Sequence, residues 1–233
     1  ILTLHMALPC EGHLHELLRI FAYLKKFHNA EMVFDPSDQI IDYSVYEKKD
    51  WTSSEFGHLE QKEDLPPRMP KPRGMSFVVR AKVDADRTSD KVTRRSRTGF
   101  FVYCNNALVY WMSKKQTAIE TSTFGSEFNA MKACTEYIRG LKYKLRMMGT
   151  ECKGFAYAYG GSQPVLASTA APQPQLKKKA GSISFHYARE GCACDEWRAS
   201  YARPENNAPG TLAKPAPAGA KRKKLVGMAL HHI

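Results

Sequence analysis

Two aspartates, Asp84 and Asp86, close a mostly apolar run at 76–81 and have the residue type and spacing of metal ligands. Because residues two apart in a strand point to the same face, both carboxylates can lie on one side of a strand end. Hard divalent cations such as magnesium take carboxylate oxygens as ligands. On this stretch alone an ordinary solvated acidic turn is the favoured explanation, so a metal site depends on partners elsewhere in the chain.

Glu127 is the candidate partner for Asp84. It heads an apolar stripe with helical spacing, whose members are Glu127, Met131, Cys134, Ile138, Leu141, Leu145 and Met148. The stripe predicts a long helix over about 124–148 that turns Glu127 inward near its start. An inward carboxylate needs a hydrogen-bond donor or a cation.

The elements that must position these carboxylates follow from apolar periodicity and turn residues. Strands are predicted at 76–84, 98–104, 107–112, 155–159 and 196–202, and helices at 11–28, 124–148, 162–167, 183–192 and 223–232. A further short strand is predicted at 32–34. The first three strands of the main set have short connections and predict an antiparallel meander. The order predicts an α/β (mixed α+β) fold with a five-stranded mixed sheet flanked by helices.

Charge points toward a polyanionic partner or, equally well, a basic soluble surface. The 233 residues contain 35 Lys and Arg against 23 Asp and Glu, a net charge of +12. The basic clusters are spread along the chain, at 94–97, 114–115, 177–179 and 221–224. No apolar run approaches the roughly 20 residues that span a bilayer, so no membrane partner is expected.

The six cysteines include no Cys-x-x-Cys pair, which argues against a zinc site. Cys104 and Cys134 sit in apolar surroundings and are predicted to be core thiols. A reducing, intracellular location, cytoplasmic or nuclear, is the simplest expectation. The chain starts with Ile rather than Met, which suggests a piece of a longer polyprotein or a processed product.

Four motifs in order resemble the ribonuclease H domain of copia-type retrotransposon polyproteins. They are Val83-Asp84-Ala85-Asp86, Arg95-Ser96-Arg97-Thr98-Gly99-Phe100, Tyr110-Trp111-Met112-Ser113-Lys114-Lys115-Gln116 and Ser126-Glu127-Phe128. The resemblance covers roughly 76–232, and His15 to Lys26 resembles the helix that follows the reverse transcriptase in such polyproteins. It implies a reverse transcriptase-like end at 1–42 and a ribonuclease H-like domain at 76–218. The loss of pattern and the charged, Pro-rich stretch at 60–73 predict a linker at 43–75, and a basic helix is predicted at 219–233.

The resemblance implies magnesium-dependent cleavage of the RNA strand of RNA–DNA hybrids, with two metal ions held by four carboxylates. Asp84 and Glu127 match the first two carboxylates. Gly161 and Gly210 stand where the family has the third and fourth, and Arg87 replaces a family histidine. Asp86, Asp90 and Glu205 are the nearby acids that could substitute.

The motifs therefore predict a catalytically inactive copy of the domain, a pseudoenzyme that retains binding to hybrid or other nucleic acid. The candidate phosphate contacts are Arg94, Arg95, Arg97, Lys114 and Lys115, for which a solvated face is the alternative. An active magnesium-dependent ribonuclease H and a purely structural remnant remain the competing hypotheses. The reverse transcriptase portion of the same polyprotein is an expected further partner, and Trp111 is predicted to pack in the core.

Overall fold

The computed structural model describes residues 2, 6–38, 40–42, 44, 46, 48–57, 59, 66–87, 90, 93–173, 182–203, 206–214 and 219–231, without the side chain of Lys221. The strands are β1 (Val79–Asp86), β2 (Arg97–Cys104), β3 (Ala107–Lys115), β4 (Ala156–Gly160) and β5 (Trp197–Tyr201). The helices are α1 (Glu11–Lys26), α2 (Thr123–Met147), α3 (Gln163–Ala170), α4 (Ser182–Ala193), α5 (Gly210–Ala213) and α6 (Ala220–Val226).

The five strands form one mixed sheet in the order β3-β2-β1-β4-β5. β1, β2 and β3 pair antiparallel, whereas β4 pairs parallel to both β1 and β5. The predicted meander and the predicted fold class, a five-stranded mixed sheet flanked by helices, are both confirmed. β1 lies at the centre of the sheet, so its side chains are covered on both faces.

The bounds of several elements differ from prediction because tertiary pairing extends or suppresses them. β1 runs through Asp86, since that residue pairs with Arg97 across the hairpin. The strand predicted at 32–34 is absent, and only Glu31 forms an isolated bridge, with His231. The four-residue helix α5 was not predicted, because Pro and Gly dominate that segment.

The two faces of the sheet bury different clusters. Val79, Ala81, Val83 and Ala85 point toward α2 and the main core, as strand alternation requires. Phe101 and Tyr103 point to the opposite face and pack with Leu225 and Ala208. Asp84 lies on this second face.

Two side chains test the core prediction directly. Cys104 and Cys134 are buried, at 6% and 0% exposure, so the prediction of core thiols is confirmed. The prediction for Trp111 is wrong, because its side chain is 52% exposed. β3 is an edge strand, and no helix among the described residues covers this part of its second face.

The segment predicted as a linker, 43–75, contributes side chains to the folded unit. Tyr46 and Trp51 are buried at 3% and 8% exposure. Glu55 pairs with Arg189, a fully buried residue of α4 whose guanidinium also donates to the carbonyl of Pro172 at 2.7 Å. The domain boundaries themselves remain predictions.

Within the described ranges, no helix is both long and apolar enough to cross a bilayer.

Candidate functional site

Asp84 lies near the end of the central strand β1, on the sheet face that α5 covers. Its exposure is only 7%. The side chains of its neighbours, Val83 and Ala85, point to the opposite face and pack in the main core. The alternation of β1 therefore places one carboxylate against α5 while its neighbours fill the core.

Glu127 reaches the same region from the first turns of α2. The helix begins after Ser122, whose hydroxyl accepts a hydrogen bond from the Gly125 backbone N–H at 3.2 Å. Glu127 is 9% exposed, and the backbone of Ala85 hydrogen-bonds to its carboxyl group. The two carboxylates are close enough that the charge of Asp84 raises the pKa of Glu127.

Gly161 and Gly210 both border Asp84, although 49 positions separate them in the chain. A Cβ atom built on Gly161 would lie 3.5 Å from Oδ1 of Asp84, and one built on Gly210 would lie 3.1 Å from its Oδ2. Neither glycine has a positive φ, so neither backbone requires glycine. Side chains at these two positions would therefore project beside the Asp84 carboxylate.

A lysine from the segment that carries Gly210 approaches Asp84. Lys214 follows α5, and its Nζ lies 3.3 Å from Oδ2 of Asp84. Asn207 lies nearby, 5% exposed, and its Nδ2 would be 3.2 Å from the Gly161 Cβ. Its Oδ1 is buried and has no hydrogen-bond partner among the described residues.

Gly99 on β2 explains how α5 comes this close to the sheet. A Cβ at Gly99 would lie 2.8 Å from the Pro209 carbonyl oxygen and 2.9 Å from the Ala213 nitrogen. Only a residue without a side chain permits that contact. The Ser113 hydroxyl also donates to the Leu212 carbonyl at 2.7 Å, which holds α5 against β3.

Burial dominates the electrostatics of the carboxylate pair. It raises the pKa of Glu127 to about 8, with a smaller contribution from the charge of Asp84. Burial also raises the pKa of Asp84, opposed by the ammonium group of Lys214. The folded protein therefore favours a proton on this pair at neutral pH.

We expect Glu127→Gln to flatten the pH dependence of stability. The usual pKa of Glu127 is near 4.5 and its folded value is about 8, so between these values the folded state binds more protons than the unfolded state. The free energy of unfolding should therefore fall as pH rises through this window, by up to about 1.4 kcal/mol per pH unit. Urea denaturation at several pH values measures the slope.

Glu151→Gln, at an exposed position, is the matched control and should keep the slope of the original protein. Equal slopes for the original protein and Glu127→Gln would contradict the expectation.

The side chains predicted to contact phosphates differ in how exposed they are to solvent. Arg94 and Lys114 are exposed. Arg97 is buried at 6%, and Lys115 binds Asp90 at 3.1 Å. Arg95 is half-buried, and its Nε has no partner among the described residues. The structure thus leaves Arg94 and Lys114 as the members most open to a ligand.

The acids proposed as substitutes lie in different surroundings. Asp86 shares the face of Asp84 and pairs across the hairpin with Arg97. Asp90 is engaged by Lys115 and by the hydroxyl of Thr93 at 2.6 Å. Glu205 lies outside the described residues. Arg87, at the place of the family histidine, donates to the Thr121 carbonyl at 3.1 Å.

The side chains at this site do not supply enough ligands for a pair of divalent ions. In the described part of the chain, no three His, Cys, Asp or Glu side chains form a group that could hold a metal ion. The two buried carboxylates at this end of β1 are Asp84 and Glu127, and a lysine ammonium already faces Oδ2 of Asp84. Two divalent ions need more anionic oxygen than these residues supply.

No protein-family model matches the chain. It is similar to solved ribonuclease H structures. The ribonuclease H1 of Halobacterium salinarum has 15% identity and a TM-score of 0.44, over 58% of this chain and 92% of that one. The N-terminal ribonuclease H domain of a Mycobacterium tuberculosis protein has 11% identity and a TM-score of 0.46, over 59% and 91%.

The foamy viral protease–reverse transcriptase, solved in complex with RNA/DNA hybrid, has 12% identity and a TM-score of 0.41, over 66% of this chain and 22% of that one. Because so few residues are identical, the chemistry of the site follows from this chain's own side chains.

Sequence reasoning did not single out Lys214 or Asn207 as site residues. Both stand in the segment 207–215 that was compared with the family's fourth carboxylate motif. The comparison with that motif could have identified Lys214 and Asn207, but it was applied to Gly210 alone.

Proposed function

We propose that this chain is a ribonuclease H-like domain that binds nucleic acid, RNA–DNA hybrid in particular, and does not cleave it. The observation that carries the proposal is that Gly161 and Gly210 both face the Asp84 carboxylate. The family motifs place carboxylates at those two positions. Loss of metal-holding groups costs on the order of 10³-fold in rate or more.

Charge supports the retention of binding. The chain carries a net charge of +12, and Arg94 and Lys114 are exposed. Contacts between such side chains and phosphates do not require metal ions. The four ordered motifs support a copia-type polyprotein as the source of the domain, with its reverse transcriptase portion as a further partner.

We expect the protein to bind a labelled RNA–DNA hybrid and to release it as salt rises. Between about 50 and 200 mM salt, the affinity should fall on the order of 10-fold or more, because phosphate contacts release counterions. Fluorescence polarisation measures binding, and gel analysis with magnesium or manganese should detect no cleavage.

Three results would separate the hypotheses. Cleavage that Asp84→Asn abolishes would identify an active ribonuclease H and overturn the proposal. Absence of hybrid binding at low salt would favour a purely structural module. Equal affinity for hybrid and duplex DNA would keep nucleic-acid binding but remove the preference for hybrid.

A further inference from the structure

Lys214 holds the position at Asp84 that a cation would be expected to take. Its Nζ is 3.3 Å from Oδ2 of Asp84, and it comes from a residue 130 positions away along the chain. Its place is set by α5, which packs on Gly99 and is tied to Ser113. The ammonium group is therefore delivered by the fold and does not depend on an ion from solution.

The ammonium group of Lys214 contacts Asp84 on one side and is exposed to solvent on the other. Its side chain is 49% exposed, while that of Asp84 is 9% exposed. A lysine ammonium carries three donors, and Asp84 is the one partner found for it in the described ranges. Donors therefore remain for an anion that approaches from solvent.

Two positions beside the pair carry no side chain. Gly161 and Gly210 place no side chain beside Asp84. Asn207, which is nine-tenths buried at the same spot, has an Oδ1 without a partner among the described residues. This oxygen is an acceptor, so it is expected to meet water or a hydroxyl group of a ligand and not the phosphate oxygen itself.

Two further lysines flank the segment that carries Asn207. Lys82, on the same strand face as Asp84, donates to the Asn206 carbonyl at 3.0 Å. Lys224 of α6 donates to the Asn206 side chain at 3.2 Å. β1 and α6 thus place two lysine side chains against Asn206, the residue before Asn207.

We propose that Lys214 is the phosphate-binding cation of this site. Its ammonium group would contact a non-bridging oxygen of a nucleic-acid backbone phosphate while Asp84 holds it in place. A divalent ion would supply positive charge between carboxylate and phosphate in such a site, and here the Lys214 ammonium supplies it. The inference rests on the proposed function, and it adds that backbone binding at this site is independent of divalent ions.

The test compares hybrid affinity in the original chain and in Lys214→Met, each with magnesium and with EDTA. The original chain should bind equally well under both conditions. Lys214→Met should bind about tenfold more weakly and lose about one unit of salt slope, as expected for one phosphate contact. Lys144→Met, an exposed lysine at the far end of α2, is the matched control and should leave both quantities unchanged.

Two companion variants keep the result interpretable if Lys214→Met folds poorly. Lys214→Arg retains the charge and should bind within a few fold of the original chain. Asp84→Asn keeps an oxygen that can accept from the ammonium but removes the negative charge that repels phosphate, so it should bind at least as tightly as the original chain. Thermal unfolding establishes that each variant is folded.

The outcomes distinguish this inference from the proposed function. If the original chain binds hybrid and folded Lys214→Met binds equally well, Lys214 is not the phosphate contact. If EDTA removes the binding of the original chain, divalent ions make the bridge and the inference fails. If the original chain does not bind hybrid at all, the proposed function itself fails.

Discussion

Hybrid cleavage should appear when Gly161→Asp and Gly210→Asp are combined in one protein. We expect the rate to rise on the order of 10³-fold or more above that of the original chain, because two metal-holding carboxylates are returned to the site. The built Cβ positions lie 3.5 and 3.1 Å from the oxygens of Asp84, so both new carboxylates would start beside it. Each single substitution should raise the cleavage rate far less, because a pair of metal ions needs both added carboxylates.

The same double variant should show a stability signature. Without metal, two added carboxylates next to buried Asp84 repel it, and we expect the free energy of unfolding to fall. Magnesium should reverse that loss, because an ion that binds only the folded state stabilises it. The melting temperature of the double variant should therefore rise with magnesium, whereas that of the original chain should not.

The matched control is the double variant with Gly161→Asn and Gly210→Asn, which adds side chains of similar size without charge. It should neither cleave hybrid nor respond to magnesium. A double aspartate variant that is folded and gains stability from magnesium, yet cleaves no faster than the control, would show that these glycines are not what prevents catalysis.

Gly191→Ala should produce the largest loss of stability among conservative changes. A Cβ at position 191 of α4 would lie 2.0 Å from Cζ2 of Trp197, a side chain with 0% exposure. Trp197 cannot easily retreat, because its indole N–H donates to the Ala188 carbonyl at 3.0 Å. Overpacking of this kind costs about 1–3 kcal/mol, and the loss should exceed the gain from the better helix former.

Gly140→Ala in α2 is the matched control. The residue is exposed, and nothing lies within 4 Å of its built Cβ. Alanine should stabilise the helix there by about 0.5–1 kcal/mol. Urea denaturation of both variants gives the comparison, and a Gly191→Ala protein as stable as Gly140→Ala would mean that α4 and β5 are packed differently.

The sequence by itself determined much of the framework. Strand alternation placed Asp84 and Asp86 on one face of the strand, and the helical stripe turned Glu127 inward, because these periodicities are local properties of the chain. The same local patterns predicted the meander and the mixed sheet. The resemblance to family motifs singled out Gly161 and Gly210, but it did not show whether the two positions meet.

Only the tertiary structure decided what surrounds Asp84. The approach of Lys214 depends on α5 packing against Gly99, a contact between segments more than 100 positions apart that no periodicity encodes. The exposure of Trp111 and the burial of Arg97 likewise depend on which strand is at the edge of the sheet. Residue types fixed which charges were available near the site, and packing determined that a lysine ammonium is the cation that faces Asp84.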